Sequence, residues 1–137
     1  MAKRMLDCYA SDFREFTKED LLESVMKSEG RIIACETIGT LQPMLGNVTN
    51  AEFAAAMGAD ILLLNMFDVI DPVINGMPET KPEDTVKELK RLTGRPVGIN
   101  LEPVEEGKEG ETDPMWKMSP GRRATVDNAL RAAKMGV

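Results

Sequence analysis

The sequence predicts an α/β fold: a partial (β/α)8 TIM barrel with an N-terminal helix followed by three β/α units and a parallel sheet. Short apolar runs alternate with helical patterns along the chain, which favours parallel strands. The runs are apolar on nearly every residue, as expected where helices cover a sheet. The pattern Ala-Ala-x-Met-Gly precedes the second apolar run within residues 54–60 and returns within residues 132–137. We therefore expect residues 1–137 to be a single domain, the N-terminal portion of a barrel that continues into a fourth strand.

Residues 1–30 form a helical lead-in. Thr17 and Asp20 have the spacing of a capping box, apolar residues follow at helical intervals, and Gly30 ends the pattern. The three β/α units occupy residues 31–137. The first begins with a predicted strand over Arg31–Thr37, followed by a loop rich in glycine and proline.

The helix of the first unit begins where Thr49 and Glu52 form another capping box, which predicts a helix over Ala51–Met57. The second unit begins with a strand predicted over Ile61–Phe67. A loop with two prolines and a glycine then leads to Pro82. Proline suits the first turn of a helix, so we expect a helix from there to about Leu92.

The third unit has a predicted strand over Pro96–Leu101 and a long acidic loop over residues 103–118. Ser119 and Pro120 resemble the cap and first position of a helix that runs to about Met135.

Polar side chains gather at the carboxyl ends of the three predicted strands. Alternate residues of a strand face opposite sides, and this alternation places Glu36, Asn65, Asn100 and Glu102 on one face, opposite the purely apolar one. Functional groups of parallel α/β folds collect at this end of the sheet. The convergence of three strands predicts a site there, although these side chains would also serve to bind loop backbone amides.

A pair of carboxylates and a pair of amides suit general acid–base chemistry, with Glu36 and Glu102 as catalytic residues. Asn65 and Asn100 would then bind and orient a substrate. Oxygen ligands also suit Mg²⁺, for which Glu36, Asp68 and Glu102 are the candidate ligands. Whether a metal is needed stays open.

Gln42 and Arg122 are further candidates for substrate binding. Gln42 lies on the loop after the first strand, where it would contact a substrate or only shape the turn. Arg122 is expected in the first turn of the last helix, where its positive charge opposes the helix dipole unless an anion is nearby. A phosphorylated substrate would supply that anion, whereas the alternative is a solvated surface arginine.

Composition excludes several classes of function. The chain has no histidine, which removes Ser-His-Asp and Cys-His catalysis and histidine metal ligation from it. Cys8 and Cys35 fit no zinc or redox motif, so we expect free thiols and a cytoplasmic protein. Seventeen basic and 23 acidic residues give a net charge of −6, which disfavours nucleic acid as a partner. No apolar run is long enough to span a membrane.

Several stretches resemble an uncharacterised bacterial TIM-barrel family often called phosphoenolpyruvate phosphonomutase-like. They are Ser28–Arg31, Cys35–Thr37, Gly58–Asp60 and Val97–Glu102. The resemblance covers essentially the whole chain. It implies a barrel whose full members continue past Val137 into further strands.

The functional expectation is an enzyme of lyase or isomerase type that acts on a small anionic or phosphorylated metabolite, with little activity in this chain alone. One alternative is a non-catalytic binding or regulatory barrel. Another is a half-barrel that associates with itself. The expected partners are the small anionic metabolite and either the remainder of the barrel or further copies in a homo-oligomer, because a small parallel sheet has open edges.

Overall fold

A parallel sheet of three strands organises the chain. The computed structural model describes residues 2–105 and 118–137. The strands pair side by side in the order in which they occur, β1-β2-β3, and both pairings are parallel. The α/β expectation is therefore confirmed. The strands are β1 (Ala34–Ile38), β2 (Ile61–Asn65) and β3 (Val97–Ile99).

The helices of the described residues lie before, between and after the strands. The helix after β1 contacts both β1 and β2, the helix after β2 contacts β3, and neighbouring helices of this layer pack on one another. Short 3-10 turns occupy Met5–Asp7, Pro82–Asp84 and Pro120–Arg122. The helices are α1 (Ala10–Glu15), α2 (Lys18–Lys27), α3 (Asn50–Ala56), α4 (Thr85–Thr93) and α5 (Val126–Met135).

The two predicted capping boxes are confirmed. The Thr17 hydroxyl accepts from the backbone N–H of Asp20, whose carboxylate accepts from the backbone N–H of Thr17. Thr49 and Glu52 form the same reciprocal pair at the start of α3. These caps satisfy N–H groups that the first turn of a helix leaves unpaired, and each contributes about 1 kcal/mol. Local sequence alone thus specifies where α2 and α3 begin.

The core lies between the sheet and the layer of α3, α4 and α5. Leu62 and Leu64 of β2 are fully buried, and Val86 and Leu89 of α4 meet them in the same apolar cluster. Burying one such side chain contributes about 1.5–3 kcal/mol. The apolar side chains of the strands therefore face the helices, and Glu36 lies on the opposite face of the sheet.

The N-terminal helices lie near the amino ends of the strands. Met5 is buried beside Ser28 of the turn that follows α2, and the Ser28 hydroxyl accepts from the Met5 backbone N–H. Ala10 of α1 abuts Gly94, whose left-handed turn ends α4 just before β3 begins. A side chain at Gly94 would collide with Ala10. The lead-in thus packs at the end of the sheet opposite to the polar strand ends.

The predicted start of the last helix is wrong. Pro120 opens only a short 3-10 turn, Arg123 is extended, and α5 begins at Val126 with Thr125 as its cap. The reason is tertiary, because Arg123 forms a parallel bridge with Glu102. That pairing draws the backbone out of the helical conformation that Ser119 and Pro120 favour locally.

The strands differ from the predictions at their ends. β1 is displaced toward the C-terminus relative to Arg31–Thr37, and β3 is shorter than Pro96–Leu101. β2 stops at Asn65 because Met66 adopts a left-handed backbone with φ of 57°. Most of the acidic loop predicted over residues 103–118 lies outside the described residues. Within the described residues, no helix is long and apolar enough to cross a membrane.

Candidate functional site

The carboxylate of Glu36 binds the side-chain amides of two neighbouring strand ends. Nδ2 of Asn65 donates to Glu36 Oε1 at 2.9 Å, and Nδ2 of Asn100 donates to Oε2 at 3.2 Å. Three residues that the sequence places on one face therefore lie in direct contact. They are called the Glu36 cluster below.

The backbone fixes the direction of the Asn65 amide. Its Oδ1 accepts from the Met66 N–H at 2.8 Å, so its NH₂ group faces Glu36. The left-handed conformation of Met66 makes this contact part of a sharp turn at the end of β2. A non-glycine residue adopts such a conformation only at a cost in free energy. The turn thus orients one of the two donors to Glu36.

The Glu36 cluster lies on the face of the sheet opposite to the layer of α3, α4 and α5, and no other helix of the described residues covers it. Glu36 is exposed, whereas Asn65 and Asn100 are half-buried. The neighbouring Cys35 has the opposite parity and packs against the apolar core. A free thiol in that position belongs to the core rather than to the polar face.

Glu102 and Arg122 form a second polar contact beyond the end of β3. A guanidinium Nη of Arg122 donates to Glu102 Oε1. The two backbones are also joined, since the Glu102 N–H donates to the Arg122 carbonyl and the Ala124 N–H donates to the Glu102 carbonyl. Arg122 is 9% exposed, so the alternative of a solvated surface arginine is wrong.

Asp68 joins the loop after β2 to the segment that carries Arg122. Its Oδ1 accepts from the backbone N–H groups of Ile70 and Asp71 at 2.7 and 3.1 Å. Burial disfavours its charged form, but these bonds and those from the Ser119 hydroxyl and the Gly121 N–H hold the pKa of Asp68 below its usual value. The ionised Asp68 carboxylate therefore links two loops through hydrogen bonds.

Gln42 lies apart from the Glu36 cluster. Its side chain is exposed and makes no hydrogen bond within the described residues, and its carbonyl accepts from Asn50. The loop that carries it is held by Asn75, whose side-chain amide donates to the Thr40 carbonyl at 2.8 Å. The structure therefore brings Glu36, Asn65 and Asn100 together, pairs Glu102 with Arg122, and leaves Gln42 in solvent.

Some residues of this region were missed by sequence reasoning. Asn75, Ser119 and Gly121 hold loops in place. Asn75 lies in a predicted loop, whereas Ser119 and Gly121 lie at the predicted start of the last helix. Gly121 offered the clearest signal, because glycine inside a predicted first helical turn is costly. Its backbone passes so close to the Asp68 carboxylate that any Cβ would collide with it.

The candidate metal ligands are engaged in separate contacts. Glu36 accepts from the two amides, Asp68 from its loop donors, and Glu102 from Arg122. Within residues 2–105 and 118–137, no three histidine, cysteine or acidic side chains are arranged to hold a metal ion. The three candidate ligands therefore do not converge within the described residues.

A surface groove with a volume of about 640 Å³ lies elsewhere. It runs between α5 and the turn at Pro82, and it contains none of the three residues of the Glu36 cluster. Its walls mix apolar and charged side chains without a convergent set of donors or acceptors. The polar strand ends, where two strands present amides to one carboxylate, are the better candidate site.

The comparisons with known proteins give one match. Neither the curated proteins nor the solved structures contain a match to this chain. A model of a domain of unknown function, DUF7916, matches residues 6–137. Because this match spans nearly the whole sequence, the chain belongs to the DUF7916 family.

Proposed function

We propose that the chain is one sector of a TIM-barrel enzyme that removes a proton from a small anionic or phosphorylated metabolite, with Glu36 as the base. The observation that carries the proposal is the pair of hydrogen bonds from Asn65 and Asn100 to the two oxygens of Glu36. A base needs a fixed position relative to the proton that it removes. The two amide donors hold the Glu36 carboxylate in place from two neighbouring strands.

The amides also supply what the product of proton removal needs. Each NH₂ group has a second hydrogen, and Asn100 Oδ1 makes no hydrogen bond within the described residues. Donors fixed beside the reacting atoms stabilise the negative charge of an enolate. This chemistry fits a lyase or isomerase, the type of enzyme suggested by the phosphoenolpyruvate phosphonomutase-like resemblance.

Two features of the sheet support the barrel. The strands pair in chain order and the helices after them lie on one face, as in a singly wound barrel. A doubly wound sheet instead reverses its strand order and places helices on both faces. The uncovered face with the Glu36 cluster would then line the interior of the barrel at its carboxyl end, where the active sites of such barrels lie.

A further feature is the apolar flank of α5. Asn128, Ala132 and Met135 face the core, whereas Val126 and Leu130 on another side are 76% and 55% exposed. An exposed apolar stripe on a helix indicates a missing neighbour. Another β/α unit beside β3 and α5 would cover it.

Deuterium exchange tests the proposed base. The whole barrel that contains this chain is incubated in D₂O with pyruvate, oxaloacetate or 2-oxobutyrate, because little activity is expected of the chain alone. Loss of the signal of the proton next to the carbonyl is followed by ¹H NMR. We expect exchange above the buffer rate and its loss in Glu36→Gln, because an amide cannot accept the proton. Glu79→Gln is the control, since Glu79 is exposed and makes no side-chain hydrogen bond within the described residues. Exchange that persists in Glu36→Gln would refute the assignment.

A self-associating half-barrel is the second candidate, and the same flank of α5 favours it. Sedimentation velocity of the 15.1 kDa chain separates the two. A stable dimer that dissociates in Leu130→Glu supports self-association. A monomer, together with a native polypeptide well above 15.1 kDa on a denaturing blot of source cells, supports a longer barrel.

A further inference from the structure

Arg122 is a buried cation with most of its hydrogen-bonding capacity unused. A guanidinium carries five N–H donors. Within the described residues only one Nη of Arg122 makes a hydrogen bond, to Glu102, and the buried Nε has no partner. Buried donors are normally satisfied, and a buried charge is normally paired on more than one side. Within the part of the chain that the structure describes, the Arg122 guanidinium therefore lacks an acceptor.

The surroundings show what kind of acceptor is missing. Glu102 is the acidic side chain that contacts the Arg122 guanidinium, and about a third of the Glu102 side chain is exposed. Asp68 is turned to Gly121 and to its own loop rather than to the guanidinium. Within the described residues, the Arg122 guanidinium thus has one carboxylate contact and N–H donors left over.

We propose that Arg122 is the anchor for an oxyanion, a carboxylate or phosphate group of the substrate, which displaces Glu102 from the guanidinium. Carboxylate and phosphate groups bind guanidinium groups through paired hydrogen bonds that a single carboxylate oxygen of Glu102 does not provide. Displacement leaves Glu102 free to act as a second acid–base group, on the same strand face as Asn100. The anion thus both binds and exposes the second carboxylate.

The position of the Arg122–Glu102 pair would let an anion bound at Arg122 place its substrate beside the Glu36 cluster. Glu102 follows Asn100 by two residues, a rise of about 6–7 Å along an extended chain. A small metabolite of a few carbon atoms spans such a distance. An oxyanion at Arg122 would therefore hold the reacting carbon near Glu36. This inference rests on the proposed function for its use, but the binding of the anion itself is independent of catalysis.

The test is an NMR titration with inorganic phosphate and, separately, malonate as the probes. The reporters are the Nε–H signal of Arg122 and the side-chain carboxyl carbon of Glu102. Both should shift together as phosphate or malonate is added. Glu102→Gln should bind the probe about tenfold more tightly, because the competing charge is gone. Arg122→Gln should bind it at least about tenfold more weakly.

The exposed pair of Arg91 and Glu88 on α4 provides the matched control. Substitution of either residue should leave phosphate and malonate binding unchanged. Binding that is equally strong in Arg122→Gln, or no tightening in Glu102→Gln, would overturn the proposal. If Arg122→Gln does not fold, Glu102→Gln and the two NMR signals still decide. Anion binding at Arg122 without proton exchange would support Arg122 as the anchor and refute Glu36 as the base. Proton exchange without anion binding would support Glu36 as the base and refute Arg122 as the anchor.

A response to only one probe identifies the group that the substrate carries. Phosphate alone indicates a phosphoryl group, and malonate alone indicates a carboxylate. Each result supports the anchor, because both probes use the same guanidinium chemistry.

Discussion

Glu36 and Asn100 lie 64 residues apart in the sequence, yet Nδ2 of Asn100 donates to Glu36 Oε2 at 3.2 Å. Asn65 donates to the other carboxylate oxygen from the strand between them. Parallel pairing brings the carboxyl ends of successive strands to one edge, and the alternation of side chains selects the face. The contact is thus a direct consequence of three strands in register.

Replacing Asn100 with aspartate should slow the proposed proton exchange by at least about tenfold, since it exchanges a donor for a repelling carboxylate about 3 Å from Glu36. Rates are measured by ¹H NMR in D₂O. Asn128→Asp is unsuitable as a control because Asn128 is buried and donates to two carbonyls. Asn47→Asp is suitable, since Asn47 is exposed and makes no side-chain hydrogen bond within the described residues. Equal rates in both variants would show that Asn100 does not serve the reaction.

The Glu36 cluster could be predicted from sequence because it depends only on strand order and alternation. The buried position of Arg122 beside Glu102 could not be predicted from sequence. Ser119 and Pro120 favour a helix start locally, and only the pairing of Arg123 with Glu102, which are distant in sequence, overrides that preference. The orientation of the Asn65 amide could not be predicted from sequence either, because it depends on the left-handed turn at Met66.

Gly121 should tolerate no side chain. A Cβ there would collide with the Asp68 carboxylate and lie 2.8 Å from the backbone nitrogen of Ile70. Both loops would have to move, and we expect Gly121→Ala to lower the free energy of unfolding by about 3 kcal/mol. Urea denaturation followed by circular dichroism measures this loss.

Gly30→Ala is the control for this substitution. Gly30 has φ of 74° but open space around its Cβ position, so only backbone strain is expected there, about 1 kcal/mol. Similar losses of unfolding free energy in the two variants would mean that the two loops separate easily. The hydrogen bonds to Asp68 would then contribute little to stability.

Stability should fall in acid partly through Asp68. Its pKa in the folded protein lies below the ordinary 3.8, so the stabilising contribution is complete above about pH 5 and is lost as the pH falls through the lowered pKa. Asp68→Asn removes the ionisable group. The stability difference between the wild type and this variant should therefore be largest near neutral pH and shrink below about pH 3.5.

Urea denaturation at several pH values measures this difference. Asp71→Asn is the neighbouring control, because the Asp71 carboxylate accepts no hydrogen bond within the described residues. A difference for Asp68→Asn that is constant between pH 7 and pH 3 would show that ionised Asp68 does not hold the loops together.

Glu102→Ala should be much more harmful than the same substitution in the surface pair of α4. It leaves Arg122, whose side chain is 11% exposed, without its carboxylate partner, whereas Arg91 beside Glu88 is 62% exposed. Removing one member of a buried pair costs about 3–5 kcal/mol, and the partial exposure of Glu102 reduces our expectation to about 2–3 kcal/mol. Glu88→Ala should cost less than about 1 kcal/mol, because water solvates the remaining arginine. Chemical denaturation of both variants gives the comparison, and added phosphate should restore part of the loss in Glu102→Ala alone if Arg122 accepts an oxyanion. Equal losses of unfolding free energy in the two variants, with no recovery in phosphate, would mean that water solvates Arg122 once Glu102 is removed. Arg122 would then need no anionic partner.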